Sequence, residues 1–340
     1  MKKILVFIFC AIFVMVLAAC GPAPSPSPSP SPTATTTPGA SPSGTAAAGA
    51  PLVGISVPQA PTGWVAAVQY YADKTAKDLG LNYKLVAAAD PNEQASQIDE
   101  LINLKPKIIV LFPSNDQVAV AAQKIKDAGI ILIDYDRTIN PTQPDYYLAG
   151  DNYGMGVAGA KYIAEKLGKK GNVMMAGCAA YGDAVNGQRL KGFLDTIKTE
   201  APDIKILNNG NAYDSPNCAP ESGLKTMTDA LQANKKIDGV FSIDDELSVG
   251  LYQAVKEANR TDVKVMTGGG GNQSYFKIMP TTPADVWLAS ALYSPTMIID
   301  CVKNADKLIK GETVEKKIIV PSKIVDKSNV NQYLDPSSPY

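Results

Sequence analysis

Two charged clusters stand where chemistry could be done: Asp136-Arg137, directly after the apolar run Ile130 to Tyr135, and Asp244-Asp245-Glu246, directly after Gly239 to Ile243. Similar run-then-loop junctions bring in Pro58 to Trp64, Pro113-Ser114-Asn115, Cys178 to Asp183, Asn211 to Asp214 and Gly268 to Gln273. Carboxylates and a guanidinium exchange paired hydrogen bonds with adjacent hydroxyls, while Trp64, Tyr181 and Tyr213 offer flat faces to ring C–H groups. That mixture suits a small polyhydroxy molecule. A cationic ligand drawn by Asp136, Asp183 and Asp244 towards an aromatic lining fits the same residues.

Catalysis fits worse. Histidine is absent from the chain, which removes the commonest general base and the commonest metal ligand together. Ser-His-Asp and Cys-His sets are therefore impossible, and no cysteine pair has zinc spacing. Asp136 and Asp244 lie in different halves of the chain, and no oligosaccharide groove accompanies them, so a glycosidase pair is disfavoured. The run Gly268 to Gly271 has no Lys-Ser or Lys-Thr after it, and Gln273 stands where a dinucleotide fingerprint needs its last glycine. It reads as a tight turn that lets a ligand approach backbone N–H groups. No catalytic residue, metal or cofactor is expected. Plainer roles exist for the same residues: a loop ion pair for Asp136 and Arg137, a helix staple for Trp64, a helix cap for Asp244.

These junctions need a scaffold that presents them together. From Pro51 the chain alternates short apolar runs with helical patterns. Leu52 to Val57 reads as a buried strand, followed by Val65, Val68, Ala72, Ala76 and Leu79 at helical spacing until Gly80. Tyr83 to Ala88 is the next strand, and Asp90-Pro91-Asn92-Glu93 supplies an N-cap, a first-turn proline and a third-position carboxylate. Ile108 to Phe112, Ile130 to Tyr135 and Tyr146 to Ala149 complete five strands. A second five follow near Val173 to Ala176, Lys205 to Asn208, Gly239 to Ile243, Val263 to Thr267 and Val286 to Ala291. Continuous apolar strands between amphipathic helices predict two α/β, doubly wound parallel-sheet (Rossmann-like) domains. Ligands of such sheets bind beyond the carboxyl ends of the strands. The pattern Met297, Cys301, Ala305, Leu308 and a strand at Lys317 to Val320 return to complete the first domain, so the chain crosses a hinge more than once.

At the other end, Lys2-Lys3 and the apolar stretch Ile4 to Leu17 have the build of an export signal too short to span a bilayer. Leu17-Ala18-Ala19-Cys20 resembles the bacterial lipoprotein processing site, which implies a signal peptide over 1–19 and a lipidated Cys20 held at a membrane outside the cytoplasm. Residues 20–50 are rich in Pro, Ser and Thr and read as a disordered tether. The net charge of -1 and the absence of like-charge runs disfavour nucleic acid as a partner. Of five cysteines, Cys10 leaves with the signal and Cys20 anchors, leaving Cys178, Cys218 and Cys301 in an oxidising compartment.

Several stretches carry a family likeness: Gly63-Trp64, Ile133 to Arg137, Ala149-Gly150-Asp151-Asn152, Val240 to Glu246 and Ala305 to Glu312. From Leu52 to about Val320 the chain resembles the ribose- and galactose-binding group of periplasmic binding proteins, the solute receptors of ABC transporters. The resemblance implies a type I periplasmic binding protein fold, with one lobe of 51–149 plus 292–319 and another of 150–291 plus 320–335. It implies a monomer that closes on a sugar or polyol and delivers it to a membrane permease; a nucleoside-binding or sensory relative is the alternative. Trp64 and Tyr213 fall on stacking aromatics, Asp136 and Arg137 on a hydroxyl-binding acid and arginine, and Asp244 on a position usually held by asparagine. Tyr181 and Asn186 complete the expected ligand set. Gly269 and Leu292 stand where relatives often carry an aspartate and a glutamine, so the particular sugar is not carried over. Cys178 and Cys218 each follow one of two consecutive strands of the second domain, which end side by side in this topology, and a disulfide between them is expected.

Overall fold

A computed structural model describes residues 49–340; the signal segment, Cys20 and the tether up to residue 48 lie outside the described residues. The chain opens with β1 (Val53–Pro58), α1 (Gly63–Asp78), β2 (Tyr83–Ala88), α2 (Pro91–Asn103), β3 (Ile108–Leu111), α3 (Ala119–Asp127), β4 (Ile131–Tyr135) and β5 (Tyr146–Gly150). It continues with α4 (Asn152–Leu167), β6 (Lys170–Cys178), α5 (Gln188–Glu200), β7 (Asp203–Ile206), β8 (Tyr213–Ser215), α6 (Pro220–Ala233), β9 (Gly239–Ser242) and α7 (Asp245–Glu257). The last elements are β10 (Val265–Gly270), α8 (Gln273–Ile278), β11 (Trp287–Leu292), α9 (Ile298–Ile309), β12 (Lys317–Val320) and β13 (Ile324–Asp326).

The strands form two sheets. The first has the order β12-β5-β4-β3-β1-β2, and the second β13-β11-β10-β9-β6-β7, with β8 also paired to β6. Every pairing in the first sheet is parallel, and in the second only β11 with β13 is antiparallel. Both faces of each sheet are covered, which is why β3, β9 and β10 are buried along their whole length. Around the first sheet, α1 and α9 build one apolar layer and α2 and α3 the other. Around the second, α4 and α5 cover one face and α6, α7 and α8 the opposite one.

Local chemistry sets the helix starts. Asp90 accepts from the backbone N–H of Asn92 at 2.8 Å and Glu93 at 2.9 Å, while the Glu93 carboxylate reaches back to Ala89 N at 2.7 Å. Asp151 caps α4 through Gly154 N at 2.7 Å, and Gly168 ends that helix in the left-handed region. Between α4 and α5 the backbones approach so closely that a Cβ at Gly156 would collide with the Arg189 carbonyl oxygen. That approach fixes where α5 begins, and with it Arg189.

One expected strand differs. The sequence predicts a strand over 205–208, whereas β7 stops at Ile206 because Asn208 and Asn209 adopt positive φ of 53° and 54°. The chain turns there and resumes along β6 as β8. The late strand β12 does pair with β5 of the first sheet, and β13 then joins the second. The chain thus passes from sheet to sheet after β5, after β11 and after β12. The passages are tied to one another, Asp151 N donating to Val320 O at 3.1 Å and Leu292 N to Lys323 O at 2.8 Å.

Candidate functional site

At the carboxyl ends of β1, β3 and β4 three aromatics meet. Trp64, in the first turn of α1, lies parallel to Tyr135 with ring centres 6.1 Å apart, and Phe112 stands edge-on to both. The indole N–H is spent on Tyr293 O at 2.7 Å, which leaves the flat of the ring for the cavity it lines. Arg137 lays its guanidinium over the Phe112 ring, 5.1 Å from its centre, and donates through Nη1 to Ser114 O. The Ser114 loop is itself held by Gln94, whose Oε1 accepts from Ser114 N at 2.8 Å and whose Nε2 donates to Phe112 O at 2.8 Å.

Asp136 adopts φ +69°, a conformation an ordinary side chain takes only when neighbours enforce it. Here its N–H donates to Leu148 O at 2.8 Å and its carbonyl accepts from Tyr147 Oη at 2.9 Å. The turn aims the carboxylate into the cavity. One oxygen accepts from the Tyr293 hydroxyl, and the other lies 3.9 Å from Arg137 Nε. Burial pushes this carboxyl above its usual range, and the Tyr293 hydrogen bond with the charges of Arg137 and Arg189 pulls it part of the way back.

The second sheet faces this group with its own ends. Asp244 caps α7, Oδ1 accepting from Glu246 N at 2.8 Å and Leu247 N at 3.1 Å, while Oδ2 accepts from Tyr181 Oη at 3.2 Å. Capping and cavity lining are thus divided between its two oxygens. Arg189, nearly buried, donates from Nε to Asn152 Oδ1 and from Nη1 to Ile243 O, both at 2.8 Å, and its guanidinium sits 4.8 Å from the Tyr293 ring centre. Behind Asp244, Asp245 Oδ2 accepts from Gly271 N, Asn272 N and Ser290 Oγ at 2.7, 3.0 and 2.6 Å, which holds the glycine run in place. Burial raises Asp245 to about 7 despite these bonds, and Glu246 to about 7 with help from the charges of Asp244 and Asp245.

Trp64, Asp136, Arg137, Tyr181 and Asp244 therefore line one cavity between the two sheets, with about 470 Å³ of unfilled space, part of it open to solvent. Asn186 and Tyr213 lie outside it. Asn186 Oδ1 accepts from Cys178 N at 3.1 Å and its Nδ2 donates to Asp214 Oδ1 at 3.4 Å, so its amide secures the end of β6. Tyr213 is paired in register with Ala176 and shares its face of the sheet, under α6, where Asn234 Nδ2 donates to its hydroxyl at 3.0 Å. Side-chain direction in the sheet, rather than position after a strand, decides that placement. Cys178 and Cys218 are bonded, with Cα atoms 5.7 Å apart, and Cys301 is a buried free thiol.

Further polar side chains in the wall are Arg189, Tyr293 and Tyr340, beside Val65, Val185, Gly269 and Gly270. A signal for the first was present. Only three of the 32 basic residues are arginine, and two of those three, Arg137 and Arg189, reach the cavity. A guanidinium offers a planar fork of donors that lysine lacks. The site thus presents carboxylates and guanidiniums from both sheets around an aromatic wall, a lining able to accept from and donate to several hydroxyls at once.

Comparison with known proteins gives a consistent set. Residues 53–313 match the family described as periplasmic binding protein domain. The D-apiose import binding protein of Paraburkholderia graminis is 30% identical over 295 residues, 85% of this chain and 91% of that protein. The xylitol-binding protein of Mycolicibacterium smegmatis is 27% identical over 246 residues, 71% of this chain and 67% of that protein. Among solved structures, an ABC transporter solute-binding protein from Actinobacillus succinogenes with bound D-allose superposes with a TM-score of 0.72 at 24% identity, covering 83% of this chain and all 100% of that one. A solute-binding protein from Mycobacterium smegmatis with bound glycerol gives 0.70 at 25% identity, covering 85% and 99%.

Proposed function

Because the chain belongs to the periplasmic binding protein domain family, we propose that it is the extracytoplasmic receptor of an ABC transporter, binding a sugar or sugar-like polyol for delivery to a membrane permease. The observation that carries this reading is the convergence of Asp136 and Arg137 from one sheet with Arg189 and Asp244 from the other on a cavity walled by Trp64. Adjacent hydroxyls of a sugar take paired hydrogen bonds from such groups, and its C–H face lies on the indole. Relatives that bind D-apiose and xylitol support the substrate class. Two lobes, 51–149 with 292–319 and 150–291 with 320–335, move as rigid bodies about the crossings, and the bound solute shifts the population towards the closed form. The closed outer face is what the permease reads. Lipid at Cys20 holds this monomeric receptor at the membrane, and about thirty tether residues at ~3.1 Å each let it range up to ~90 Å.

The test is thermal-shift and calorimetric titration of the mature protein with D-ribose, D-xylose, xylitol, D-allose and myo-inositol, with adenosine and uridine as the contrasting class. Saturable binding of a sugar or polyol, lost on replacing Asp136 or Arg137, supports the reading. Binding of nucleosides alone, or unchanged sugar affinity in both variants, refutes it.

A further inference from the structure

Residues 333–340 leave the second sheet and fold back along α8, bringing Tyr340 to the cavity wall. One side chain grips the start of this strap: Gln273, at the start of α8, donates from Nε2 to Tyr333 O at 3.0 Å and accepts at Oε1 from Asp335 N at 2.9 Å. Its own backbone N–H donates to Tyr340 O at 3.0 Å. Asp335 stiffens the bend between them by accepting from Ser337 N at 2.8 Å and Ser337 Oγ at 2.6 Å. The result is to deliver Tyr340 inward, with only 5% of its surface exposed, into the apolar cluster that also holds Tyr293, Met155 and Ala291.

Its hydroxyl is buried and has no hydrogen-bond partner, although it lines the same cavity as Asp136, Arg137, Arg189 and Asp244. An orphaned buried hydroxyl is costly, and in native proteins such a group commonly serves a ligand or ordered water. The chain also makes room for it. Gly270 holds φ +136°, and a Cβ there would strike the Tyr340 hydroxyl, so glycine is required at 270 for conformation and for space.

We propose that Tyr340 is a ligand-contacting residue of the cleft, its O–H donating to a hydroxyl oxygen of the bound sugar or polyol. This rests on the receptor reading above and adds a donor from outside the two sheets. Burial and the nearby carboxylates of Asp244, Asp245 and Glu246 keep the phenol protonated, so it is available as a donor. The strap hangs from α8, and its ring joins an apolar cluster to which both sheets contribute.

Tyr340→Phe keeps the ring and deletes the hydroxyl, so calorimetric titration of this variant with D-ribose, xylitol and D-allose isolates the proposed contact. The expected result is a loss of about 3- to 10-fold in affinity for whichever of these the wild type binds, with the ligand-free melting temperature not lowered and, because an unpaired buried hydroxyl is removed, raised if anything. Equal affinity in the variant overturns the assignment, and tighter binding in Tyr340→Phe and Tyr340→Ala overturns it in favour of a plug that competes with the solute. An intact Tyr340→Phe beside an Asp136→Asn that no longer binds removes the tyrosine contact alone. A wild type that binds none of the sugars or polyols removes this proposal together with the receptor reading.

Discussion

Replacing Asp136 by asparagine separates recognition from stability, because the structure gives the two effects opposite signs. The carboxylate sits in a buried turn with one oxygen on the Tyr293 hydroxyl and the other 3.9 Å from Arg137 Nε, and burial raises its pKa. An acid with a raised folded-state pKa contributes stability that is present below its unfolded value and is lost as pH rises through the folded value. Its ionised form is therefore a cost to the fold, and Asp136→Asn, which is nearly the same shape, leaves the ligand-free melting temperature unchanged or raises it. Binding moves the other way. A hydrogen bond from a ligand hydroxyl to a charged acceptor is worth about 1.5–3 kcal/mol, and asparagine can make only the weaker neutral one. The difference of ~1–1.5 kcal/mol should lower the affinity for the best-binding sugar by about 5- to 12-fold, since ~1.4 kcal/mol is tenfold. The loss is read by titrating Trp64 emission with Trp287, the other tryptophan, replaced by phenylalanine. Affinity within twofold of wild type refutes the reasoning, and so does a loss matched by an equal fall in ligand-free stability.

Other perturbations bear on the same structure. Arg189→Lys should weaken sugar binding about tenfold or more and also destabilise the protein by ~2 kcal/mol, because lysine cannot reach Asn152 Oδ1, Ile243 O and the cavity together; calorimetry with urea unfolding checks both halves. Reducing the Cys178–Cys218 bond, whose cysteines are 40 residues apart, should cost about 4 kcal/mol by loop entropy, read as a lower urea midpoint in dithiothreitol; an unmoved midpoint contradicts this. Glu246 has its pKa raised to about 7, so its contribution is present below its unfolded value of ~4.5 and disappears as pH rises through about 7. Melting temperature should accordingly fall over that interval, and Glu246→Gln should flatten part of the fall, with Asp245, also near 7, supplying the remainder.

Much of this arrangement could be read from residue order. The sheets followed from apolar runs such as Ile108 to Leu111, and the helix at Pro91 from Asp90 and Glu93, because these are local patterns with local causes. Cavity-lining residues at the ends of strands were also legible, as with Asp136 after β4 and Asp244 just beyond β9. The rule failed where direction or distance mattered. Tyr213 follows a loop yet faces α6, since pairing register sets its side, and register is a tertiary property. Arg189 enters the cavity from within α5, brought there by the close contact at Gly156, and Tyr340 arrives on a strap that no periodicity marks. Both belong to packing between segments remote in sequence, which spacing does not encode.

The three crossings between the sheets do not run separately. Val320 O is bonded to Asp151 N, and Lys323 O to Leu292 N, so the passages lie side by side as a narrow cross-linked band. A band of that kind flexes across its width with little resistance but opposes torsion and sliding, since either would break the bonds between its members. The opening and closing proposed above would therefore follow one track, bringing Asp136 and Asp244 back to the same separation each time.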